Sequence, residues 1–529
     1  MKYFKIYIIS FLTIFGISCS DFLEEKPRDE ISIDQYFETP AHAENAVNSL
    51  YRNGAPQMYS SGGVYSGTRI LLGQYMTGFF DNEYKGQEPH IQNAQQLTLN
   101  GINLDEYLSG IWGDLYLGIS RANNAIKYIP ETPGLDTEQS NKLMAEAKFY
   151  RAFGYYFLVR LFGDVPLIEE PYESLENLFV PRSSVNEVYD LITSDLEFAV
   201  NSGGLPEASM VNNGYRITQG TVASLLAEVY LTMGGYPLET NKYTEAAQMA
   251  RKVINSNVYS LTQHDFDVEG ELIPERSAYN KIRNEEALAN EYVYLIEYFV
   301  GISTSVYPQW SYPVSFASDV KYAITNSAYQ PVKEFLWGYN KDIDLRMQEK
   351  QYYHSSFEAN DGSIVEFPMT PFIWHDDEAL FETANSGKDL RAYSYADVLL
   401  IAAEAIAKSE GVTAEAVDYL TQVRKRAYWE LDEATIKSEL SGLSADEFIE
   451  EVWKERYREL VFDFKLWFDM VRTRKYPKTS ETGNGEIDFV NFVGQANTWG
   501  KTFETKHLLL PLPERELQRN PSLKQNEGY

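Results

Sequence analysis

The chain has 529 residues, of which 44% are hydrophobic, so it can bury a substantial core and is not expected to be disordered. Its formal net charge of −31 repels phosphate backbones, which excludes nucleic acid as an expected partner and favours neutral ligands over polyanionic ones. A single cysteine excludes a framework of intramolecular disulfides.

The amino terminus has the pattern of a lipoprotein secretory signal. After two early lysines, residues 6–17 form an apolar run that is too short to span a bilayer, and the single cysteine, Cys19, follows it closely. We predict a signal peptide over residues 1–18, lipid attachment at Cys19 and a polar tether over residues 19–38. The alternative is an ordinary signal peptide cut nearby, which would leave the cysteine as a free thiol.

Residues 39–260 form an N-terminal region with several helical patterns and one stretch of different composition. A helix is predicted after Pro40. Residues 55–101 then combine many glycines with aromatic side chains, which favours loops that present aromatic rings. Helical periodicity resumes in IWGDLYLGISRANNAIKYI, where Trp112 lies inside the pattern and is predicted to be part of the core.

The strongest helical pattern lies in residues 142–168. Large side chains alternate with small ones along one side of this helix, so that a partner helix can approach closely at the small residues. Gly163 provides a C-terminal cap and Pro166 prevents continuation, so the helix is predicted to end sharply. The predicted seam consists of Leu143, Ala147, Tyr150, Gly154, Phe157 and Leu161.

Two pairs of predicted helices resemble tetratricopeptide-type hairpins. The first pair is VASLLAEVYLTMGG with KYTEAAQMARKVINS, and the second is YADVLLIAAEAIAKSEG with TAEAVDYLTQVRKRA. Stacked helix pairs bury a shared core and carry insertions on one side. The predicted fold class is therefore mainly α, with tetratricopeptide-like helical pairs that form a scaffold for a large loop-rich, ligand-binding lobe.

That lobe is predicted over residues 261–389, the first part of a C-terminal region that runs from residue 261 to residue 529. It lacks helical periodicity, is rich in Tyr, Trp, Ser, Asn and Pro, and is too long for a plain connection. One last long helix is predicted beyond it, with Ile449, Trp453, Leu460, Phe464, Trp467 and Val471 on one face.

Motifs of enzymes and metal sites support no assignment. The sequence has no G-x-S-x-G elbow and no H-E-x-x-H pair. Residues 494–502 (GQANTWGKT) resemble a phosphate loop, but they have one residue too many and lie in a polar loop rather than between strand and helix. His375 and the two aspartates after it are interpreted as a solvated loop. No catalytic residue, metal or cofactor is predicted, although a pair of carboxylates for glycoside hydrolysis would meet only in space.

Five stretches, in chain order, resemble the SusD/RagB family and, with the lipoprotein start, cover essentially the whole mature chain. They are IWGDLYLGISRANNAI, EAKFYRAFGYYFLVRLFGDVPLI, DLRAYSYADVLLIAAEA, ERYRELVFDFKLWFDMVR and LLLPLPERELQRNPSLKQNEGY. One departure is Phe462-Asp463-Phe464-Lys465, which stands where the family usually has a Glu followed by Gly-His-Arg. The helix is expected to persist through this departure, without consequence for ligand binding.

The resemblance implies a lipid-anchored protein exposed at the outer membrane of a Gram-negative cell. It further implies that the protein binds a glycan, or in some members another nutrient, works with a SusC-like TonB-dependent transporter and is not an enzyme. The net charge favours a neutral glycan. Two alternatives remain open at this point. One is a helical-repeat scaffold that binds only protein, and the other is a lipid-anchored glycoside hydrolase.

Glycan binding without catalysis requires aromatic rings that pack on the faces of sugar rings and polar side chains that bind the hydroxyl groups. Both ingredients occur in the two loop-rich regions, from which members of the resembled family often draw ligand contacts. Pro308 and Pro313 stiffen the second of these regions. The alternative for each ring is burial beneath its own loop. The predicted glycan contacts are Asp81, Asn82, Glu83, Tyr84, Tyr307, Trp310, Tyr312 and Trp374.

Overall fold

A computed structural model describes residues 36–53, 70–172, 178–286, 288–358 and 362–529. The predicted signal peptide, Cys19 and most of the predicted tether lie outside the described residues. The same holds for the glycines and tyrosines between positions 54 and 69.

The described part of the chain is mainly α-helical, as the sequence pattern predicts. Short 3₁₀ turns connect several of the helices. The helices are α1 (Pro40–Asn53), α2 (Leu72–Thr77), α3 (Pro89–Gln95), α4 (Asp105–Tyr128), α5 (Thr137–Phe162), α6 (Val185–Asn201), α7 (Gln219–Gly234), α8 (Tyr243–Asn255), α9 (Ala278–Arg283), α10 (Leu288–Glu291), α11 (Lys333–Leu336), α12 (Tyr395–Ser409), α13 (Ala414–Ala427), α14 (Glu433–Ser441), α15 (Ala445–Glu459), α16 (Leu466–Thr473) and α17 (Glu514–Arg519).

The strands of the described residues form short antiparallel pairs. They are β1 (Phe80–Asp81), β2 (Val165–Pro166), β3 (Arg182–Ser183), β4 (Tyr292–Ile296), β5 (Gln330–Pro331), β6 (Tyr353–Glu358), β7 (Ile364–Pro371), β8 (Leu390–Ser394), β9 (Lys475–Thr479) and β10 (Ile487–Asn491). The pairs are β1 with β5, β2 with β3, β4 with β8, β6 with β7 and β9 with β10. In the first pair Phe80 lies opposite Pro331 and Asp81 opposite Gln330, so the pair joins two distant parts of the chain.

Helix α5 lies at the centre of the scaffold and carries the predicted seam. All six seam residues are buried. A β-carbon built on Gly154 would lie 3.2 Å from Cγ1 of Ile119 in α4, so the two helices approach closely where the sequence predicts it. The Asp136 side chain caps the start of α5, and Gly163, at φ +74°, ends it.

The helices form a continuous array, and the lobe is an insertion into it. Helix α5 packs against α4 and α6, and α7 packs against α8, as predicted for the first helix pair. Helix α8 also packs directly against α12, which in turn packs against α13, its partner in the second predicted pair. Because residues 261–389 separate α8 from α12 in sequence, the lobe leaves and re-enters the array between two adjacent helices.

Two expectations about local structure are wrong. The last predicted helix is not continuous, because α15 ends at Glu459 and α16 begins only at Leu466. Phe464, between them, adopts φ +57°, a left-handed conformation that interrupts an α-helix. The region 55–101 does not simply present rings either. From residue 70 it contains α2 and α3, and its Tyr75, Phe79 and Phe80 are buried.

Buried ion pairs hold the lobe to the helical array. Arg346 in the lobe is fully buried and contacts Asp344 through Nη2 at 2.8 Å. Its Nη1 contacts Glu455 at 2.8 Å and Glu459 at 2.9 Å, both in α15. Several charge-assisted hydrogen bonds to one guanidinium offset the cost of removing these charges from water.

Candidate functional site

Glu83 joins the two loop-rich regions that the sequence singles out. Its Oε2 accepts hydrogen bonds from the backbone N–H of Val314 at 2.8 Å and of Ser327 at 2.9 Å. The β1–β5 pair lies beside this contact. The early segment around residues 80–85 and the lobe around residues 307–331 therefore form one unit, and Glu83 is used to hold it together.

Asp81 and Asn82 also act largely within the protein. The Asn82 side chain is buried. Its Nδ2 donates to Oη of Tyr75 at 3.0 Å, and its Oδ1 accepts from the backbone N–H of Tyr84 at 2.8 Å. Asp81 accepts from Nε2 of Gln95 at 2.9 Å and pairs with Lys85 at 2.5 Å. These three polar residues fix the shape of the segment, which corrects the expectation that they project free hydrogen-bonding groups.

The four aromatic residues predicted in the lobe are buried rather than exposed. The exposed fractions are 1% for Tyr307, 3% for Trp310, 2% for Tyr312 and 4% for Trp374. The Tyr307 ring centroid lies 4.8 Å from that of Trp310 and 5.1 Å from that of Trp374. Rings packed on one another have no free face for a sugar. The expectation of an exposed platform is therefore wrong for these four residues.

His375 lies in the core of the lobe rather than on a solvated loop. Burial lowers the pKa of His375, so its imidazole is neutral near pH 7. Its Nε2 lies 2.8 Å from Oδ1 of Asp377, and its Nδ1 lies 3.3 Å from Oη of Tyr312. Among the described residues, no group of three or more His, Cys, Asp or Glu side chains is arranged to hold a metal ion.

Tyr84 and Lys85 on the early segment, together with Trp499 on the loop against which Lys85 lies, define what we call the Tyr84–Trp499 face. All three side chains are half-buried. Nζ of Lys85 lies 4.7 Å from the centroid of the Trp499 ring, while the same ammonium pairs with Asp81. Partly exposed rings beside an ammonium and a carboxylate can pack on a sugar ring and bind its hydroxyl groups.

The sequence pattern does not predict Trp499 as a site residue, because residues 494–502 are interpreted only as an incomplete match to a phosphate-binding loop. In the structure Nδ2 of Asn497 donates to the carbonyls of Met76 at 3.3 Å and Gln95 at 2.9 Å. Oγ1 of Thr498 donates to the carbonyl of Gly78. These bonds bring the loop against the segment that contains Tyr84. The available signal was a tryptophan in a polar, glycine-containing loop that fits no nucleotide motif.

Comparison with known proteins places the chain in a family. A family model described as "SusD family" matches residues 329–529, and one described as "Starch-binding associating with outer membrane" matches residues 21–231. A SusD superfamily protein from Parabacteroides distasonis is 30% identical with a TM-score of 0.78, and the match covers 92% of this chain and 99% of that one. The two chains therefore share a fold in which a helical array carries a loop-rich lobe. The chain belongs to the SusD/RagB family.

Two further relatives match over nearly the whole chain, one in sequence and one in fold. SusD-like protein P2 from Formosa agariphila is 29% identical over the whole length of both chains. Surface glycan-binding protein A from Bacteroides thetaiotaomicron, solved in complex with laminarihexaose, shares the fold with a TM-score of 0.68 at 17% identity. That match covers 92% of this chain and 99% of the other. Within the described residues of the present chain, none of the helices is both long and apolar enough to cross a membrane.

Proposed function

We propose that this protein is a non-catalytic, cell-surface lipoprotein that captures a neutral oligo- or polysaccharide and passes it to a SusC-like TonB-dependent transporter. Membership of the SusD/RagB family supports the assignment to glycan uptake. The shared fold of a surface glycan-binding protein solved with laminarihexaose supports the class of ligand. The observation that carries the proposal in this chain is the Tyr84–Trp499 face.

The chemistry of that face suits a neutral sugar. Tyr84 and Trp499 supply rings for the apolar C–H faces of a pyranose, and Lys85 supplies N–H donors for its hydroxyl groups. The net charge of −31 disfavours anionic polymers. The bonds of Glu83 and Asn82 hold the segment in place before ligand arrives, which lowers the entropy cost of binding.

The proposal is tested by calorimetry and thermal melting of the purified protein with a panel of neutral glycans that includes laminarihexaose. We expect saturable binding and a raised melting temperature with at least one of them. If no glycan binds and the protein instead captures only polypeptide, the alternative of a protein scaffold replaces the proposal. Release of reducing ends from a bound polysaccharide would replace it with a glycoside hydrolase.

The lipid anchor and the transporter are separate parts of the proposal. Cys19→Ala is expected to abolish labelling with a palmitate analogue and to release the protein from the outer-membrane fraction. A mutant that still labels and still fractionates with the outer membrane would contradict the anchor. Affinity purification of the wild-type protein from its native cells is expected to recover a TonB-dependent barrel, and repeated recovery without one would contradict the transporter.

A further inference from the structure

A cavity of about 420 Å³ lies between α4, the chain around β2 and β3, and α17, and shares no residue with the Tyr84–Trp499 face. Trp112, Gly113 and Tyr116 line its wall on α4. Tyr172 and Phe179 line the opposite wall, and α17 closes one end. We call this cavity the α4 groove.

The walls of the α4 groove are fixed by hydrogen bonds to backbone carbonyls. Oη of Tyr116 donates to Pro166 at 2.8 Å, and Nδ2 of Asn123 donates to Ile168 at 2.8 Å. At the other side, Nδ2 of Asn520 donates to Val180 at 2.8 Å. The groove therefore exists before a ligand enters, which lowers the cost of binding.

The groove exposes aromatic surface that the core does not use. Tyr172 is 49% exposed and Phe179 is 56% exposed. The rings of Trp112 and Tyr116 lie 5.0 Å apart on the facing wall. A β-carbon on Gly113, beside them, would meet no atom within 4 Å, so a ligand can approach the backbone of α4 at this point. Exposed aromatic side chains that line a preformed cavity favour a binding site there.

The charges and the size of the groove restrict its ligand. Nη1 of Arg519 lies 2.7 Å from Oε1 of Glu516, so these two charges neutralise each other and leave Glu170 on the lining. An anionic ligand is disfavoured there. The volume falls within the range of small-molecule sites.

We infer that the α4 groove is a second glycan-binding site, which holds a neutral sugar ring between the half-buried ring of Tyr116 on α4 and the exposed rings of Tyr172 and Phe179. The class of ligand rests on the proposed function, but the site does not depend on the Tyr84–Trp499 face. Two sites on one polymer would raise its apparent affinity through the high effective concentration at the second site.

Fluorine NMR of protein labelled with 5-fluorotryptophan tests the two sites separately, because Trp112 reports on the groove and Trp499 on the other face. Trp112→Phe and Trp499→Phe assign these two signals among the 8 tryptophans. The probes are glucose, galactose, mannose, xylose and laminarihexaose. We expect at least one of them to shift both signals in the wild-type protein.

Gly113→Leu fills the groove from a helical position where a side chain meets open space. It is expected to weaken at least tenfold the glycan affinity that the Trp112 signal reports, and to leave unchanged the affinity that the Trp499 signal reports. Gly113→Ala is the matched small substitution. If the leucine variant melts early, Tyr172→Ala on the exposed wall replaces it. A response of Trp499 without one of Trp112, or a Trp112 response that survives in Gly113→Leu, would overturn the second site alone. Silence of both signals with every probe would overturn the proposed function as well.

Discussion

The helical array and the loop-rich lobe bury their large side chains in different ways. In the array, α4 and α5 meet along a regular seam, and Gly154 sets their close approach. In the lobe, Tyr307, Trp310 and Trp374 pack ring against ring although no helix there is longer than six residues among those described. Periodicity therefore predicts burial in a helix, whereas an aromatic composition without periodicity does not predict exposure.

In the lobe, side chains donate hydrogen bonds to buried backbone carbonyls, whereas in the array these carbonyls accept hydrogen bonds within helices. The carbonyl of Ser311 accepts from Oγ1 of Thr370 at 2.9 Å and lies 2.6 Å from Nε2 of His354. Burial lowers the pKa of His354 to about 3, so its imidazole is neutral and the nitrogen nearest this carbonyl carries the proton. Oγ1 of Thr325 donates to the carbonyl of Pro313 at 2.7 Å. A lobe held in this way extends the core of the array and is not a mobile surface.

The largest expected effect tests whether the lobe extends the core in this way. Trp310→Ala removes a ring that is 3% exposed, so it should lower the free energy of unfolding by about 3–5 kcal/mol. Chemical denaturation measures this change. Trp337→Ala, at a half-buried ring with Lys333 above it, is the matched control and should cost clearly less. Equal stability losses in the two variants would contradict the ring-on-ring core.

The next effect tests the seam of the array. Gly154→Leu places a large side chain against Ile119, so it should lower the free energy of unfolding by about 1–3 kcal/mol. Thermal melting reports the change. Gly113→Leu, on the open side of α4, is the control and should melt near the wild-type temperature. An unchanged melting temperature for Gly154→Leu would show that the seam lies elsewhere.

A smaller effect separates ligand binding from stability. Trp499→Ala should weaken binding of the stabilising glycan about tenfold, which corresponds to about 1.4 kcal/mol, because a ring beside Lys85 is lost. Its melting temperature without ligand should change little, and Tyr84→Ala should behave in the same way. Calorimetry on both variants provides the measurement, with Trp337→Ala as the control for loss of a half-buried indole. Full affinity in both variants would remove this face from the site.

The last effect depends on pH and concerns buried carboxylates, which differ between the two regions. In the array, Arg472 contacts Glu404 through two nitrogens, and this pairing outweighs burial and holds the pKa of Glu404 below its ordinary value. In the lobe, burial raises the pKa of Asp389 to about 8, with Glu285 and Glu297 acting in the same direction. The folded state therefore holds a proton on Asp389 that the unfolded state has lost above about pH 4.

The stability contributed by this proton is complete below the unfolded pKa and is lost as the pH rises through about 8. Relative to wild type, Asp389→Asn should become more stable with rising pH by about 1 kcal/mol per pH unit between roughly pH 5 and pH 7. The asparagine can still accept the hydrogen bond from the backbone N–H of Tyr298. Denaturation at several pH values measures the difference, and parallel curves for the two proteins would contradict the raised pKa.

The array was predictable because its helices follow local rules. The seam and end of α5 follow from residue spacing and capping, whereas its start at Thr137 lies before the predicted pattern, which begins at residue 142. The break between α15 and α16 could not be derived in this way, because it depends on distant partners. The Phe464 ring lies 5.5 Å from that of Tyr329 and 6.1 Å from that of Trp374, and this packing favours a conformation that the local helical pattern opposes.

The candidate site was predictable only in part. The sequence predicts a site at residues 81–84 and 307–312, and the structure joins the first segment to residues 314–331 of the same lobe. The sequence does not show which rings stay accessible to solvent, because accessibility depends on contacts between residues far apart in the chain. Trp499 reaches the site through Asn497 and Thr498, whose bonds to the segment before β1 have no local sequence signal.

The bonds made by Glu83 also define what can be exchanged between relatives in protein engineering. Its carboxylate binds the backbone at Ser327, which lies 244 positions away, so the early segment and the lobe need to be exchanged together. A chimaera that imports only one of the two segments would lose the fit between the Glu83 carboxylate and the backbone N–H groups that it binds. A graft that keeps the donor's geometry needs residues 80–85 and 307–331, together with Tyr75, Gln95 and the loop at residues 497–499.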